Sequence, residues 1–494
     1  MKLLKISEPK SRIIAIDLGT SNSLVSYYDN EEIKIVTDAH HPSGLIPSIV
    51  AYQAEIVLIG NLALGNHPIK SIKRLMGKGT EDIIVGHYPI NSEASTSQIF
   101  RLNTSKGLLT PVEIAADLLI YLKKMTEDYL SENISRAIIT VPAHFDEAAR
   151  KATRDAAKIA GLEVVRLLNE PTAAALAYGL KSQPGDKILV YDLGGGTFDL
   201  SLLLFAEGIT RVLATSGDNQ LGGDDFDLAI IEHYIRMLKP EEFSWAQISH
   251  QANLITKHLT ENTSWSGEFF GQITTITRNQ AEELWQPLVN KTLFILEKLL
   301  EENHLQAEAI TEIVLAGGAT RIPMIAKMLQ EKLHKQPLGY LDPDKVVVLG
   351  AGIQAKTLQE GGNILVDLVP LSLGIELLGD LVEILIARNS PIPASVTRVY
   401  TTYKDNQTGF EIKILQGEQE KASDCRALAQ FKLSNLPAKP AGQVKVEITF
   451  KVDRNGLLFV TASELESGQR LEVEIQPSYG LTEIEIQKLI HRQL

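Results

Sequence analysis

The sequence predicts an α/β region built as two related lobes, followed by an all-β sandwich and the start of a helix. Three observations support this fold class. Up to about residue 361, short apolar strands alternate with amphipathic helices, which is typical of α/β folds. The strand-and-turn pattern around Asp17 returns around Asp192, which indicates an internal duplication. After Gly361 and Gly362 apolar and polar residues alternate strictly, which is typical of half-buried strands.

In the α/β region the clearest elements are buried strands and one capped helix. Three apolar segments are predicted as strands: residues 12–18, 136–141 and 186–193. A helix is predicted from Thr110, because Thr110 as N-cap, Pro111 in the first turn and Glu113 form a capping box. Its apolar side chains recur every three or four residues, at Ile114, Leu118, Tyr121, Met125 and Tyr129.

The C-terminal region reads differently. The segments GFEIKIL, VKVEITFKVD and RLEVEI alternate, and Asn455 and Gly456 between two strands are a hairpin signal. These strand and turn spacings predict a β-sandwich of about 100 residues. In the final segment Thr482 is a predicted N-cap, with Ile486, Leu489 and Ile490 on one helix face. The predicted divisions are an α/β region, a linker, a sandwich and a helix start, at 1–361, 362–369, 370–478 and 479–494.

Composition excludes several functional classes. The 494 residues include 48 basic and 61 acidic ones, a net charge of −13, so a broad basic surface for nucleic acid is not expected. The single cysteine, Cys425, excludes a disulfide framework and a cysteine-rich zinc domain. The N-terminal segment lacks the apolar core of a signal peptide, and no apolar run reaches the ~20 residues of a membrane span. A soluble, cytoplasmic protein that binds neither nucleic acid nor membrane is predicted.

The duplicated turn carries the first chemical signal. IIAIDLGTSNS and ILVYDLGGGTFD each join an apolar strand to an aspartate and a glycine turn with hydroxyl side chains. Glycines let backbone N–H groups approach an oligophosphate, and an aspartate at each strand end can hold Mg²⁺ through its waters. The hydroxyls of Thr20, Ser21 and Thr197 can donate to phosphate oxygens. One copy alone is explained equally well as a simple turn; two copies favour a phosphate site, although no P-loop motif is present.

Three further segments are ambiguous when taken singly. SIKRLMG places Lys73 and Arg74 among apolar residues, which by itself favours an ordinary solvated basic pair. RLLNEPTAAALAYG puts Glu170 at the start of an alanine-rich helix, where the helix dipole already favours an acid. VLAGGATRIPMI places two glycines and Arg321 between a strand and a helix. A nucleoside can lie there against the backbone, or the chain simply turns.

Together these segments resemble the DnaK-type, seventy-kilodalton heat-shock chaperones. The matching stretches include DLGTSNS, IKRLMG, LLNEPTAAALAYGL, YDLGGGTFD, LGGDDFD, GGATRIP, VPLSLGIE and KDNQT. Within the family, LLKISEP, GLLTPVEIAADLL, SDCRALAQF and QPSYGLTEIEI are similar to the HscA branch, which serves iron–sulfur cluster assembly. The resemblance implies an actin-like two-lobed ATPase domain at 1–361, an interdomain linker at 362–369 and a peptide-binding sandwich at 370–478. At 479–494 it implies the start of a helical lid, the rest of which is missing.

The resemblance also implies roles for individual residues. Catalysis is expected from Lys73, Glu170, Asp192 and Thr197, and Mg²⁺ is expected to be held through water by Asp17 and Asp192. ATP or ADP is expected against Gly19, Thr20, Ser21, Gly194, Gly195, Gly196, Thr197, Gly222, Gly223, Lys257, Thr260, Gly317, Gly318 and Arg321. The peptide is expected against Ile375, Leu378, Tyr403, Phe410 and Ile412, although some of these must also form the sandwich core. Coupling is expected through Pro142, Arg150, Leu365, Val366 and Asp367.

Some positions depart from the family pattern. Asn253 and Thr256 stand where the family has an adenosine-contacting Glu and Lys, which puts nucleotide affinity in question. Phe410 is bulkier than the usual aliphatic residue, which suggests a narrower peptide pocket.

The implied partners are a client peptide from an iron–sulfur scaffold protein and a J-domain co-chaperone. The alternatives are a general folding chaperone, a peptide-holding module that binds nucleotide weakly, and a small-molecule kinase of the actin superfamily. The β-rich residues 363–480 disfavour the kinase, and the intact Lys73, Glu170, Asp192 and Thr197 disfavour the holding module.

Overall fold

The fold is given by a computed structural model that describes residues 12–66, 68–84, 87–143, 145–179, 183–206, 209–234, 245–269, 272–360, 364–453, 456–475 and 479–493. The first part contains β1 (Ile13–Leu18), β2 (Asn22–Asp29), β3 (Glu32–Ile35), β4 (Ile46–Pro47), β5 (Val50–Gln53), β6 (Ile56–Ile59), β7 (Leu102–Thr104), β8 (Gly107–Leu109), β9 (Arg136–Val141) and β10 (Glu163–Asn169). Its helices are α1 (Pro111–Leu130), α2 (Glu147–Ile159) and α3 (Glu170–Gly179).

The second part contains β11 (Lys187–Leu193), β12 (Phe198–Ala206), β13 (Ile209–Asp218), β14 (Ser264–Phe269), β15 (Gln272–Thr277), β16 (Glu312–Ala316) and β17 (Ile364–Val366). Its helices are α4 (Gly223–Tyr234), α5 (Trp245–Glu261), α6 (Arg278–Glu302), α7 (Pro323–Leu333) and α8 (Val346–Glu360). The third part contains β18 (Leu373–Leu377), β19 (Leu381–Ile386), β20 (Ala394–Thr401), β21 (Gly409–Gln416), β22 (Arg426–Ser434), β23 (Lys445–Val452), β24 (Leu458–Glu464), β25 (Arg470–Glu474) and α9 (Glu483–Gln493).

Two sheets with the same strand pattern organise the first two parts. In the first lobe (β1–β10 with α1 and α2) the order is β10-β9-β1-β2-β3, and in the second (β11–β17 with α4–α7) it is β16-β11-β12-β13-β17. β1 pairs antiparallel with β2 and parallel with β9, and β11 pairs in the same way with β12 and β16. The predicted duplication is therefore present in the topology, and it puts Asp17 and Asp192 near corresponding strand ends.

The two lobes share a buried layer. α3 and α8 pack against each other, and α8 also packs on β1 and β2. One apolar cluster takes Ile13 and Ile138 from the first sheet, Val190 and Val314 from the second, and Val347 from α8. The turns that follow β1 and β11 therefore belong to two lobes that are joined by a common core.

The predicted elements of the α/β region are confirmed, with one exception. The strands predicted at 12–18, 136–141 and 186–193 are β1, β9 and β11, and Thr110 and Glu113 form the predicted capping box of α1. Tyr129 departs from the predicted apolar face: its side chain is 47% exposed and its ring lies 6.0 Å from that of Tyr27. In the described part of the chain, no helix combines the length and the apolar character needed to cross a bilayer.

The third part consists of two four-stranded sheets, β19-β18-β21-β22 and β20-β23-β24-β25. Alternate residues of both, among them Ile414, Ile448 and Val460, form one buried cluster, as the sequence pattern predicts. β23 and β24 pair directly, although the predicted turn residue Asn455 lies outside the described residues. Cys425 is half-buried.

The segment between the second and third parts is a strand. β17 pairs in parallel with β13 at the edge of the second sheet, with Thr210 opposite Leu365 and Arg211 opposite Val366. Just beyond it, the backbone carbonyl of Asp367 accepts a hydrogen bond from the N–H of Ile392, 2.9 Å away, in the third part. The described part of the predicted linker is thus held by the second part through β17 and by the third part through Asp367.

The last described residues pack on the first lobe. Tyr479, Leu481 and Ile486 belong to its apolar core, and α9 lies against α2. The Tyr479 hydroxyl is buried and donates to Oδ2 of Asp155 at 2.7 Å. The Lys151 ammonium lies 2.5 Å from the same carboxylate and 5.2 Å from the centre of the Tyr479 ring. Tyr479 therefore anchors residues 479–493 to α2.

Replacing Tyr479 with Phe is expected to loosen residues 479–493 from α2. The variant keeps the ring but removes a hydrogen bond to a buried carboxylate, at a cost of about 2 kcal/mol. Hydrogen–deuterium exchange of the residues that follow position 479 is expected to accelerate by at least tenfold. Glu483→Gln is the control, because the exposed Lys158–Glu483 ion pair contributes little. Equal exchange in Tyr479→Phe and wild type would contradict the anchor.

Candidate functional site

The turns that follow β1 and β11 touch each other across the two lobes. A Cβ on Gly195 would lie 1.8 Å from Oγ of Ser21, so only glycine allows this approach. The Gly194–Gly196 turn is also fixed to the start of α4, because Gly223 N–H donates to Gly194 O at 2.8 Å and Asp224 N–H donates to Gly195 O at 2.7 Å. The two predicted phosphate turns therefore form one surface, together with Gly222 and Gly223.

A cluster of buried acidic side chains lies behind these turns. Asp17, Glu170, Asp192 and Asp199 are each less than 10% exposed. The buried ammonium of Lys73 forms an ion pair with Oε1 of Glu170. Thr140 Oγ1 donates to Oδ1 of Asp17 at 2.7 Å, and Thr197 is buried beside them in the second turn. The structure thus brings together Lys73 and Glu170, two of the residues for which the resemblance implies a catalytic role.

The pKa values of three of these carboxyl groups, those of Asp17, Glu170 and Asp192, are raised. Burial, with added repulsion from Asp17 and Asp199, raises the pKa of Glu170 to about 7, although the Lys73 charge opposes the shift. Burial and the charges of Glu170 and Asp199 raise the pKa of Asp192 well above its ordinary value. The pKa of Asp17 is raised by burial as well. A cation brought to this cluster would relieve both the burial cost and the repulsion.

The donor set fits magnesium held through water. Mg²⁺ prefers oxygen ligands and usually keeps several of its waters. Among the described residues, no group of three or more His, Cys, Asp or Glu side chains is placed to chelate a metal directly. Asp17 and Asp192 offer carboxylate oxygens in a cation-poor cluster, which suits water-mediated contact.

Asp199 is a site residue that the sequence analysis missed. It is 1% exposed and stands opposite Asp192 in the β11–β12 pairing. Its Oδ1 accepts the backbone N–H of Ala143 at 2.7 Å, next to the buried Pro142. The signal was present, because Asp199 is the last residue of the YDLGGGTFD segment.

A line of hydrogen bonds leads from this point to the linker. The Arg150 guanidinium donates to Ala143 O at 3.2 Å and to Asn169 Oδ1 at 2.7 Å. The Asn169 amide in turn donates to Oδ1 of Asp367 at 2.8 Å. Asp199, Ala143, Arg150, Asn169 and Asp367 therefore connect the acid cluster to the segment that follows β17. Asn169 was not predicted.

The third turn of the site follows β16. Gly317 has a φ of +79°, which favours glycine, and a Cβ there would lie 2.3 Å from Leu193 O. Gly318 begins the short 3₁₀ turn Gly318–Arg321. The Arg321 guanidinium is held by the carboxylates of Asp342 and Asp344. The turn is thus rigidly placed beside the Gly194–Gly196 turn.

α5 forms the remaining side of the predicted nucleotide site. Lys257 is exposed, and Thr260 Oγ1 donates back to Lys257 O at 2.7 Å. Asn253 Nδ2 donates to Oδ2 of Asp227 at 2.8 Å. Thr256 is buried. Asn253 and Thr256, the two positions that depart from the family pattern, therefore lie on the side of α5 that packs against α4.

The predicted peptide residues fall into two groups. Ile375 and Ile412 are 3% and 2% exposed and belong to the sandwich core, so they present almost no surface. Leu378 and Tyr403 are 77% and 58% exposed. Phe410 is half-buried against that core, with its ring 6.5 Å from the Tyr400 ring. Ile375 and Ile412 lie inside β18 and β21, whereas Leu378 and Tyr403 lie in the turns that follow β18 and β20.

Asp227→Asn is expected to stabilise the protein at high pH. Burial raises the pKa of Asp227 to about 7, so the folded state binds this proton more tightly than the unfolded chain. The free energy of unfolding that Asp227 contributes therefore falls as the pH rises from about 4 to about 7. The variant should gain about 3 kcal/mol relative to wild type between pH 5 and pH 8, measured by urea unfolding at both pH values.

Asp29→Asn is the control, because Lys34 lowers the pKa of Asp29 and the trend with pH should be opposite and small. An equal stability difference between Asp227→Asn and wild type at pH 5 and pH 8 would contradict the prediction.

Comparisons with known proteins identify the family to which the chain belongs. Residues 13–493 match the family model described as Hsp70 protein. The chain is 41% identical to the chaperone protein HscA homolog of Pasteurella multocida over 513 aligned positions. It is 42% identical to the chaperone protein HscA of Escherichia coli over 522 positions and to that of Citrobacter koseri over 514. Each alignment covers 99% of this chain and 83% of the relative. The chain therefore belongs to the Hsp70 family of ATP-hydrolysing chaperones.

Proposed function

We propose that this chaperone couples ATP hydrolysis to the grip on an extended client peptide during iron–sulfur cluster assembly. The likeness to HscA supports the cluster-assembly role. The observation that carries the coupled ATPase is the buried Lys73–Glu170 pair inside an acid cluster that is joined by hydrogen bonds to the linker. A small-molecule kinase would have no use for the linker or the sandwich.

The proposed layout follows the sequence divisions. An actin-like two-lobed ATPase domain occupies residues 1–361, the linker 362–369, the peptide-binding sandwich 370–478 and the first turns of a lid helix 479–494. The duplicated sheet pattern supports the two lobes, and the separate buried cluster of the third part supports an independent sandwich.

ATP lies between the lobes in this proposal. Backbone N–H groups of Gly19, Gly194, Gly195, Gly196, Gly222 and Gly223 and the hydroxyls of Thr20, Ser21 and Thr197 receive the phosphates. Mg²⁺, held by Asp17 and Asp192 through water, supplies positive charge that offsets the charge of the phosphate oxygens. The close contact of the two glycine turns supports this arrangement, because both lobes then reach the same phosphate chain.

Lys73 and Glu170 carry the hydrolytic step. The Lys73 ammonium faces the acid cluster and is placed to offset charge on the terminal phosphate and to orient the attacking water. Glu170, with a pKa raised to about 7, is suited to hold that water as a hydrogen-bond acceptor near neutral pH. Thr197 positions a phosphate oxygen. Positioning and electrostatics dominate phosphoryl transfer, and these residues supply both.

Nucleotide state reaches the peptide domain through the linker. A change in the charge near Asp199 alters its bond to Ala143 N–H and, through Pro142 and Arg150, the contacts of Asn169 and Asp367. Leu365 and Val366 respond because their strand is paired with β13. The sandwich follows, since Asp367 also holds Ile392.

The nucleoside end is expected to bind less tightly than in relatives with the usual acidic and basic pair. Asn253 is turned toward Asp227 rather than toward a basic partner. Lys257, Thr260, Gly317, Gly318 and Arg321 remain as the adenosine-side contacts. Weak adenosine contact limits nucleotide residence, not the chemistry at Lys73.

The proposed partners are a scaffold protein of iron–sulfur cluster assembly, which supplies the client peptide, and a J-domain co-chaperone. The exposed Leu378 and Tyr403 are placed to contact the peptide, and Phe410 bounds its pocket. Ile375 and Ile412 support these residues from the core. An extended peptide adds backbone hydrogen bonds along a strand and buries a few side chains.

ATP hydrolysis is expected to rise at least tenfold when a scaffold-protein peptide and its J-domain partner are added together. Steady-state phosphate release is measured with neither, either and both. Stimulation by unrelated unfolded peptides to the same extent would favour a general folding chaperone instead. Absence of stimulation by any peptide would contradict the coupled function.

Lys73→Ala serves as the catalytic test within that assay. The single-turnover hydrolysis rate should fall at least a hundredfold while nucleotide still binds, because only the charge at the terminal phosphate is lost. Lys34→Ala, which removes a surface ion pair with Asp29, is the control. A wild-type rate in Lys73→Ala would contradict the assignment.

Aspartate at both Leu365 and Val366 is expected to uncouple the domains. Two added charges at a paired sheet edge disfavour docking of β17, so peptide should no longer stimulate hydrolysis, while basal hydrolysis stays within about threefold of wild type. Serine at both positions is the milder control, since it keeps the strand uncharged. Normal peptide stimulation in the aspartate variant would refute coupling through β17.

A further inference from the structure

The residue after Lys73 makes an ion pair between the lobes that the proposed function does not use. The 3₁₀ turn Ile72–Leu75 of the first lobe carries both Lys73 and Arg74, and all four of its residues are buried. Lys73 faces Glu170, whereas Arg74 reaches into the second lobe. Its guanidinium NH2 lies 2.7 Å from Oδ2 of Asp225 in the first turn of α4, and the Arg74 side chain is 2% exposed.

Arg74 also holds the glycine turn. Its Nε–H donates to Gly196 O at 2.9 Å. A Cβ on Gly196 would lie 2.5 Å from that nitrogen and 2.5 Å from Cγ2 of Thr20. Because Gly196 has no side chain, both the Arg74 guanidinium and Thr20 of the first lobe can pack directly against the Gly194–Gly196 turn.

The acceptors of Arg74 are fixed by their own bonds. The Asp225 carboxylate oxygen that receives Arg74 also accepts Gly222 N–H at 2.7 Å. Beside it, Ser71 Oγ donates to Oδ2 of Asp224 at 2.6 Å, which ties the same 3₁₀ turn to α4 a second time. The phosphate turn, the start of α4 and the Lys73 turn are thus connected through one guanidinium.

We infer that Arg74 is a positioning residue that closes the two lobes over the phosphates and sets the place of Lys73 against the Gly194–Gly196 turn. The inference rests on the proposed role of Lys73. Arg74 acts through Asp225 and Gly196, not through the nucleotide. The planar guanidinium is required, because its two donors point to two separate acceptors and an ammonium cannot reproduce that geometry.

The assignment predicts two linked effects. When the Arg74–Asp225 ion pair is lost, the position of Lys73 relative to the Gly194–Gly196 turn is less well fixed, so hydrolysis slows. The lobes also separate more readily, so bound nucleotide leaves faster. The second effect does not depend on chemistry, which keeps a failure of this inference distinguishable from a failure of the proposed hydrolytic role of Lys73.

The test compares Arg74→Gln, Asp225→Asn and the double variant. Single-turnover hydrolysis of prebound ATP gives a rate constant that does not depend on the fraction of folded protein, and release of a fluorescent ADP analogue gives the dissociation rate. Each single variant is expected to slow hydrolysis and to speed ADP release at least tenfold. The double variant should be no worse than the more affected single variant, since both remove one interaction.

Arg74→Lys should recover less than half of the hydrolysis rate that Arg74→Gln loses, because lysine restores the positive charge but not the two separate N–H donors of the guanidinium. Arg12→Gln, which breaks an arginine–carboxylate pair with Glu132 on the first-lobe surface, should change neither measurement. If Arg74→Gln and Asp225→Asn do not fold, Ser71→Ala provides a milder test. It removes only the neighbouring bond to Asp224 and should still speed ADP release about threefold.

Three outcomes overturn the inference. Wild-type ADP release in Arg74→Gln excludes closure of the lobes by this residue. Normal behaviour of Asp225→Asn beside an impaired Arg74→Gln shows that Arg74 contacts the nucleotide directly. Additive losses in the double variant show that the two residues act separately.

Discussion

The concentration of buried negative charge between the lobes constrains the whole nucleotide site. Asp17, Glu170, Asp192 and Asp199 lie away from water beside the ammonium of Lys73, and the pKa of Glu170 is raised to about 7 by burial and repulsion. Burying several carboxylates together costs free energy, and a bound cation with its phosphate ligand offsets that cost. The two glycine turns, the shared core of α3 and α8 and the cross-lobe contacts all serve to keep these carboxyl groups together.

The same cluster is connected by hydrogen bonds to the segment that leads into the sandwich. Asp199 is bonded to the backbone of Ala143, and from there rigid hydrogen-bond partners extend to Asp367. Ala143, Arg150 and Asn169 in this series are buried. α2 adds a second connection: its N-cap Asp146 pairs with Arg426 of the sandwich, while its C-terminal half supports Tyr479.

The sequence allowed much of this to be predicted, for identifiable reasons. The duplicated acid–glycine turn is a local pattern, so the matching sheets and the turn residues followed from it, and the capping boxes of α1 and α9 follow from residues three apart. Contacts between distant residues could not be predicted. The partner of Arg74 lies 151 positions away, and nothing near SIKRLMG distinguishes an interlobe ion pair from a solvated one.

The division of the peptide residues into the core pair Ile375 and Ile412 and the exposed pair Leu378 and Tyr403 depends on where β18 and β20 end, and strand ends are poorly defined by sequence. Asp199 lies in the recognised YDLGGGTFD segment, but its place in the cluster depends on its pairing opposite Asp192 and on its bond to Ala143 N–H, which is distant in sequence.

The edge position of β17 has a consequence for solubility. When β17 leaves β13, a row of backbone donors and acceptors in a largely apolar sheet becomes open to pairing with another chain, the usual route to edge-to-edge aggregation. By pairing with β13, β17 therefore also satisfies the backbone groups at this edge of the sheet. Arg211 is exposed and lies opposite Val366. A charged residue at a sheet edge discourages the addition of a strand from another chain when that edge is unpaired. Under the proposed coupling, in which β17 leaves the sheet, the Arg211 charge would protect the open β13 edge from pairing with another chain.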